Sequence, residues 1–392
     1  MVKENTKIKI AIFHAFFSGK GGAERFVFNL RNHFSAGLFT GAVNFNSFNP
    51  DSRDSFSQKL FNPQYELIYL HKDINTPVLR LLKRYLFFAF SFKIKKLLEY
   101  DVIIFSGSVM FVPRRINKLR NKYSDLSKPK LIMYCHTTPR KFTDQFDGFV
   151  KSAPKGLKLL YKIFGKIYLN EYIKDMKVMD VITTNSENTH KRIKKYTGFE
   201  SKILFPPVDT SAYKYISRQD YFLSYARLEE MKRVPLILEA FTKMKNKKLV
   251  ICSTGPLHNW FEEQIKMRNL DNILFEGFVS DERLSELIGN CYAGIYIPVD
   301  EDFGMTQIEL MAAGKPVIGV EEGGLLETVI DGETGIMLPP NPTVDDLVTA
   351  IENLTLEKVI LMKDKCIEQA NKFSDTVFYE KIEKECYNVI NK

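Results

Sequence analysis

Asp300-Glu-Asp-Phe-Gly-Met-Thr-Gln-Ile-Glu309, followed by Leu-Met-Ala-Ala-Gly-Lys-Pro-Val-Ile318, is the stretch on which the reading of this chain turns. The apolar run Ala293–Ile297 before it reads as a strand, Phe303 and Gly304 as a turn, Met305–Ala313 as a helix, and Pro316–Val320 as the next strand. The string therefore lies on a strand-to-helix turn, where ligands bind in open α/β sheets. The amides of Gly304, Met305 and Thr306 would point at a phosphate. Glu309, one turn in, could hold ribose hydroxyls, and Glu301 would sit on the approach loop. Helix-capping acids would account for one of these carboxylates but not for the whole string.

Working outward, the second half alternates regularly. Strands are expected at Tyr221–Ala226, Lys248–Ser253 and Asn272–Phe275, and helices at Pro235–Met244, His258–Arg268 and Asp281–Gly289, with mostly helix after Thr343. Upstream, a strand over Ile8–Phe13 leads through Ser18–Gly22 into a helix from Ala23, and Asp101–Phe105, Lys130–Cys135 and Val178–Thr183 read as further strands. The fold class is α/β: two Rossmann-like domains, each with a largely parallel sheet. The aperiodic, proline-containing segment from Pro206 to Asp220 marks the boundary. The expected domains are 1–207, 208–374, and a C-terminal helix over 375–392 that crosses back to the first.

The 392 residues, 45% hydrophobic and 26% charged, suit two cores of ordinary size. Five scattered cysteines, with no CxxC pair, suggest neither a disulfide framework nor a zinc site and point to a reducing compartment. Lys9 and His14 interrupt the first apolar run, so it reads as a buried strand rather than a secretion signal, and Tyr85–Phe92 is too short to span a bilayer. Residues 1–205 hold 36 Lys+Arg against 16 Asp+Glu, while residues 206–392 hold 20 against 31. The first half therefore faces an anionic partner, a membrane surface or nucleic acid.

Three other loops follow strands. Ser18-Gly-Lys-Gly21-Gly22-Ala-Glu24-Arg25 opens a helix with side-chain-free residues that let backbone amides approach an anion or a sugar; a tight turn needing φ > 0 explains the glycines equally well. Arg227-Leu-Glu-Glu-Met-Lys232 places two cations where they could hold a diphosphate, or where Glu229 and Glu230 would simply neutralise them. Tyr134-Cys-His136-Thr-Thr-Pro-Arg140 sets a histidine at a strand's carboxyl end, within reach of a substrate hydroxyl or in a purely structural place.

Together, Gly21-Gly-Ala-Glu-Arg25, Arg227 with Lys232, the Glu301-to-Glu309 string, and Gly323-Gly-Leu-Leu-Glu327 closely resemble the family-4 glycosyltransferases of GT-B fold, over nearly the whole chain. The resemblance implies a retaining transferase with its two domains facing a cleft. Arg227 and Lys232 would neutralise the leaving diphosphate, Glu301 would contact the donor sugar, Glu309 the ribose, and His136 would lie near the reacting sugar. Donor contacts would also come from Gly21, Gly22, Gly255, Phe278, Val279, Phe303, Gly304, Met305 and Thr306, and acceptor contact from Arg140. No side chain is assigned as nucleophile, so electrostatic stabilisation of the diphosphate would be the main catalytic term. His136-Thr-Thr-Pro-Arg140 and Glu301-Asp-Phe-Gly are similar to members that use GDP-mannose to build lipid-linked or surface glycans, although Thr138 stands where those commonly have a proline. Asp300-Glu-Asp302 also spells the DxD of metal-dependent sugar transferases, but its position beside a helix dipole and the two cations argues for metal-independent transfer and no cofactor.

The basic excess of the first half has two centres. Arg80, Lys83, Arg84, Lys93, Lys95 and Lys96 flank the Leu86–Phe92 aromatic run. Lys151, Lys155, Lys158, Lys162 and Lys166 recur three or four apart, with Leu159, Leu160, Ile163, Phe164 and Ile167 opposite. This second stretch reads as an amphipathic basic helix lying on an anionic membrane, or as a solvated face packed on its own domain. A polyprenyl-linked acceptor at the cytoplasmic face of a membrane fits the first reading. Rival functions are a UDP-sugar-dependent transferase, a sugar-nucleotide epimerase or hydrolase, and a nucleic-acid-binding protein, the last lacking any recognisable nucleic-acid motif.

Overall fold

The computed structural model describes residues 8–19, 21–52, 54–72, 92–109, 111–122 and 129–391. By contacts the chain divides into two units, Met1–Leu204 with Tyr379–Lys392, and Phe205–Phe378. The strands are β1 (Ile10–Phe17), β2 (Gly37–Val43), β3 (Leu67–Lys72), β4 (Val102–Ser106), β5 (Lys130–Cys135), β6 (Val181–Thr184), β7 (Lys202–Ile203), β8 (Phe222–Ser224), β9 (Leu249–Ile251), β10 (Ile273–Phe275), β11 (Ala293–Ile295), β12 (Val317–Val320) and β13 (Gly335–Leu338).

The first sheet runs β3-β2-β1-β4-β5-β6-β7 and the second β10-β9-β8-β11-β12-β13, every neighbouring pair parallel. Helices cover both faces of such sheets, so their strands are apolar on both sides. Accordingly all five residues of β4 are buried, and Ile12 of β1 stands opposite Leu38 on one side and Ile104 on the other. In each sheet the order reverses at its centre, between β1 and β4 and between β8 and β11. These are the switch points where the loops after adjacent strands diverge and leave a crevice. The expectation of two Rossmann-like parallel sheets is borne out.

Element ends moved by a few residues. The strand expected over Val178–Thr183 is Val181–Thr184, and Met305 caps the short helix Thr306–Ala312 rather than lying within it. β2 is not among the strands expected from the sequence, and it carries two glycines, Gly37 and Gly41, a residue depleted in strands. A Cβ on Gly37 would lie 2.2 Å from the Tyr100 hydroxyl, so the strand needs that glycine to pack.

The basic segment is not one helix. Phe146–Lys151 and Lys158–Met176 are separate, broken at Pro154 and Gly156, the latter at φ 83. Phe164 is not on the outer face: its ring, with Tyr168, packs against Phe142, while Phe149 meets Tyr161. Leu159, Leu160, Ile163 and Ile167 are exposed instead, Leu159 by 70%, and form a row beside Lys158, Lys162 and Lys166. Most of the other basic stretch, residues 80–91, lies outside the described residues; Lys96 pairs with Glu66. Among the described residues no helix is long and apolar enough to cross a membrane.

The last helix, Asp375–Ile390, binds the first unit through its outer part. Tyr379 stacks on His33 with centroids 3.9 Å apart, Glu383 meets His33 at 2.7 Å, and Glu385 pairs with Lys202. Deeper in that unit Arg31 is fully buried, donating to the carbonyls of Leu60 (2.8 Å), Lys59 (3.1 Å) and Tyr65 (2.9 Å) and so closing the end of the helix Ser55–Leu60. Arg31→Met keeps the apolar stem but leaves those carbonyls without a donor. We expect a loss of about 3 kcal/mol and, for a unit of this size, a melting temperature lower by roughly 6–12 °C in calorimetry.

Candidate active site

In the second unit, β8 and β11 are the central pair, and the loops after them carry most of the expected residues. Lys232 donates to the Glu301 carboxylate and, at 3.3 Å, to the Tyr296 hydroxyl, which itself donates to Glu301 Oε2 at 2.8 Å. Lys232 and Glu301 are both mostly buried. Burial pushes the Glu301 carboxyl up, but the Lys232 charge and the bonds from Lys232 and Tyr296 outweigh it, so its pKa is lowered overall. The result is an ammonium held on the carboxyl side of the sheet with its stem fixed and its carboxylate already ionised.

Glu309, in the first turn of Thr306–Ala312, accepts from the Tyr225 hydroxyl at 2.9 Å and is nearly buried. Burial, then the charge of Glu309, raises the Tyr225 pKa well above the ordinary phenol. The turn before this helix is locked by Gln307, whose amide donates to the carbonyls of Phe303 (3.0 Å) and Gly304 (3.1 Å) and to Thr328 Oγ1 (3.0 Å). Gly304 has φ 80. Gly323 has φ 57, and a Cβ there would lie 2.3 Å from the Glu301 carbonyl, so the Gly323-Gly324 loop rests directly on the backbone that presents Glu301.

Other expected residues fall differently. Arg227 is exposed and faces Glu229 at 3.7 Å rather than joining Lys232 and Glu301. Phe303 buries its ring against Phe205 and Phe373, which leaves only its backbone to face a ligand. Met305 and Thr306 stand at the cap and first residue of the short helix. A Cβ on Gly255 would meet the Leu228 carbonyl at 2.4 Å, so this glycine lets two loops touch. Phe278 is 83% exposed, with Val279 beside it.

In the first unit His136 follows β5, and its Nε2 lies 2.8 Å from the Ser106 hydroxyl at the end of β4. The same hydroxyl is 3.1 Å from Nδ1 of His14 on β1, whose Nε2 lies 4.0 Å from Glu24. Glu24 accepts from the Gly21 amide at 3.1 Å, and Gly21 itself is extended, with φ −135. Burial lowers the His14 pKa to about 4; burial and then the neighbouring His14 lower that of His136 to about 3. Arg140 is engaged by Asp144 at 2.8 Å within its own loop. Sequence reading missed His14, Ser106, Tyr225, Tyr296, Arg233 and Glu322. Tyr296, at a strand's carboxyl end five residues before Glu301, carried the clearest signal.

With sheets, loops and side chains in view, the likeness to known proteins is direct. Residues 211–373 match the family model for glycosyl transferases group 1. The chain is 27% identical over 299 residues, 65% of its length, to the alpha-1,3/1,6-mannosyltransferase ALG2 of Dictyostelium discoideum, and 28% identical over 269 residues to that of Rhizomucor pusillus. These matches cover 67% and 56% of the two relatives, so the chain spans about two thirds of the first and just over half of the second. The structure of Anabaena Alr3699/HepE in complex with UDP superposes with a TM-score of 0.71 over 97% of this chain and 100% of that one, at 16% identity. The fold is the GT-B fold, two parallel-sheet α/β units in series. The match to glycosyl transferases group 1 takes in nearly the whole of the second unit.

The paired histidines give the first unit a pH dependence. In the unfolded chain each imidazole gains its proton near pH 6.5; in the fold His14 and His136 stay neutral down to about 4 and about 3. The unfolded state therefore binds more protons across that window, and stability falls as pH drops below about 6.5. Melting temperatures measured from pH 7 to pH 4.5 should fall less steeply for His14→Gln than for the native protein. Parallel curves would show that His14 does not contribute.

Proposed function

We propose that this chain is a retaining, metal-independent glycosyltransferase that moves mannose from GDP-mannose to a lipid-linked glycan acceptor. The observation that carries the reading is the Lys232 ammonium, fixed by Glu301 and Tyr296 at the switch point of the second unit, with Arg227 in the same loop. A donor diphosphate there would draw Lys232, and Arg227 is exposed enough to swing onto it. The pair would stabilise the negative charge that grows as the bond from the sugar's anomeric carbon to phosphate breaks. The acceptor oxygen then forms its bond on the face the phosphate leaves, and the acceptor proton passes to that phosphate. Glu309, held by Tyr225, would take the ribose, and neutral His136 would face the sugar.

The relatives named as mannosyltransferases favour mannose. The UDP in the similar solved structure keeps a UDP-sugar donor as the second reading. A thermal-shift screen against GDP, UDP, ADP, GDP-mannose and UDP-sugars separates them, since a ligand that binds only the folded state raises its melting temperature. Stabilisation by GDP compounds supports the proposal. Stabilisation by UDP compounds alone overturns the donor, and no response overturns the enzymatic reading. Lys232→Ala and Glu301→Ala should each lower turnover by about a hundredfold or more, while chelation by EDTA leaves native turnover intact.

The acceptor reading extends to an anionic membrane surface at the cytoplasmic face. Exposed Leu159, Leu160, Ile163 and Ile167 beside Lys158, Lys162 and Lys166 match an interfacial helix, whose aliphatic side chains enter the headgroup boundary while lysines meet lipid phosphate. In flotation assays the protein should bind phosphatidylglycerol vesicles and not phosphatidylcholine vesicles. Ile163→Glu with Ile167→Glu should release it without changing nucleotide binding.

A further inference from the structure

Arg233 follows Lys232 directly, and its backbone is left-handed, with φ 49 and ψ 31. Cβ crowding disfavours that region for any residue but glycine, and an arginine has no local hydrogen bond of the Asn or Asp kind to offset it. What holds it there is the far end of its side chain. Nη1 donates to the carbonyls of Ile297 (3.1 Å) and Pro298 (3.0 Å), while Nη2 donates to Glu322 Oε1 (2.7 Å) and to Asn341 Oδ1 (3.3 Å). Glu322 in turn accepts the amides of Asp300 (3.1 Å) and Asn341 (2.8 Å). Arg233 and Glu322 are both largely buried.

One guanidinium therefore ties the loop after β8, which carries Lys232, to the loop after β11, which carries Glu301, and to the loop after β12. Asp300, at the far end of the tie, is itself left-handed at φ 42, a conformation that Asp tolerates and that the bond from its amide to Glu322 holds in place. A main-chain bond from the Val299 amide to the Met231 carbonyl at 2.8 Å joins the same two loops. We propose that Arg233 is a positioning residue for the donor's diphosphate: its fork fixes the separation at which Lys232 and Glu301 face each other, and nucleoside diphosphate affinity depends on that separation. The ligand class rests on the function proposed above; the clamp rests on the geometry.

Two substitutions divide the alternatives. Arg233→Gly relieves the backbone and removes the fork. Arg233→Lys keeps the charge on a stem one atom shorter but cannot present paired N–H groups to two carbonyls and a carboxylate at once. Isothermal titration with GDP and UDP, alongside thermal melts, is the measurement. Both variants should bind the nucleotide that the native protein binds about tenfold or more weakly, while the melts show them still folded at the titration temperature. Millimolar guanidinium should restore part of the affinity of Arg233→Gly and none of that of Arg233→Lys. Native affinity in Arg233→Gly overturns the proposal. Should that variant not fold, native affinity in Arg233→Lys overturns it equally. If the native protein binds neither nucleotide, the functional reading falls on its own. The clamp is then judged by hydrogen exchange at the Val299, Asp300 and Glu301 amides: faster exchange in Arg233→Lys upholds it, and unchanged exchange refutes it.

Discussion

Each pair of neighbouring strands in both sheets is parallel, and from this constraint the rest of the molecule follows. A parallel strand must be reached by a crossover, so every loop that leaves a strand emerges at one edge of its sheet and every returning connection enters at the other. Residues distant in sequence, such as Tyr225 and Glu309 or Lys232 and Glu301, come together because their loops share that edge. The strand order opens a crevice at the carboxyl ends of the central strands, and there charged side chains from different loops can be gathered.

The second unit uses that crevice for buried ionised groups. An ion pair taken out of water recovers its desolvation cost only if the geometry is good and further hydrogen bonds serve the remaining atoms. Lys232 with Glu301 has Tyr296 as third partner, and Arg233 with Glu322 has two carbonyls and two amides. The glycines are the counterpart of this precision. Gly323, Gly324 and Gly255 each lie where a Cβ would meet another loop's backbone, so the loops touch main chain to main chain and their spacing does not depend on side-chain rotamers.

Much of this was legible in the amino-acid sequence. Alternating apolar runs gave the parallel sheets, and the Glu301-to-Glu309 string located the crevice because its glycine and spacing reflect a backbone requirement. What stayed hidden depends on contacts between segments. Arg233 reads as one more lysine-like neighbour of Lys232 until the carbonyls of Ile297 and Pro298 are seen in front of it. His14 sits inside an apolar strand and looks like an interruption; only the parallel register that sets it beside Ser106 reveals its partner. The helix after Pro154 and Gly156 misled in another way. Lysine spacing suggests one face and the aliphatics its opposite, but the aromatic residues take the inward face and leave both other groups outside.

The uncovered row of Leu159, Leu160, Ile163 and Ile167 bears on how the molecule behaves when concentrated. Oily side chains in solvent invite two copies to adhere, yet the adjoining lysines place like charge against like whenever such faces approach. At low ionic strength that repulsion acts over about 10 Å or more and keeps copies apart. Added salt shortens its reach while leaving the attraction between aliphatic groups intact, so association of copies through this face should increase as ionic strength rises.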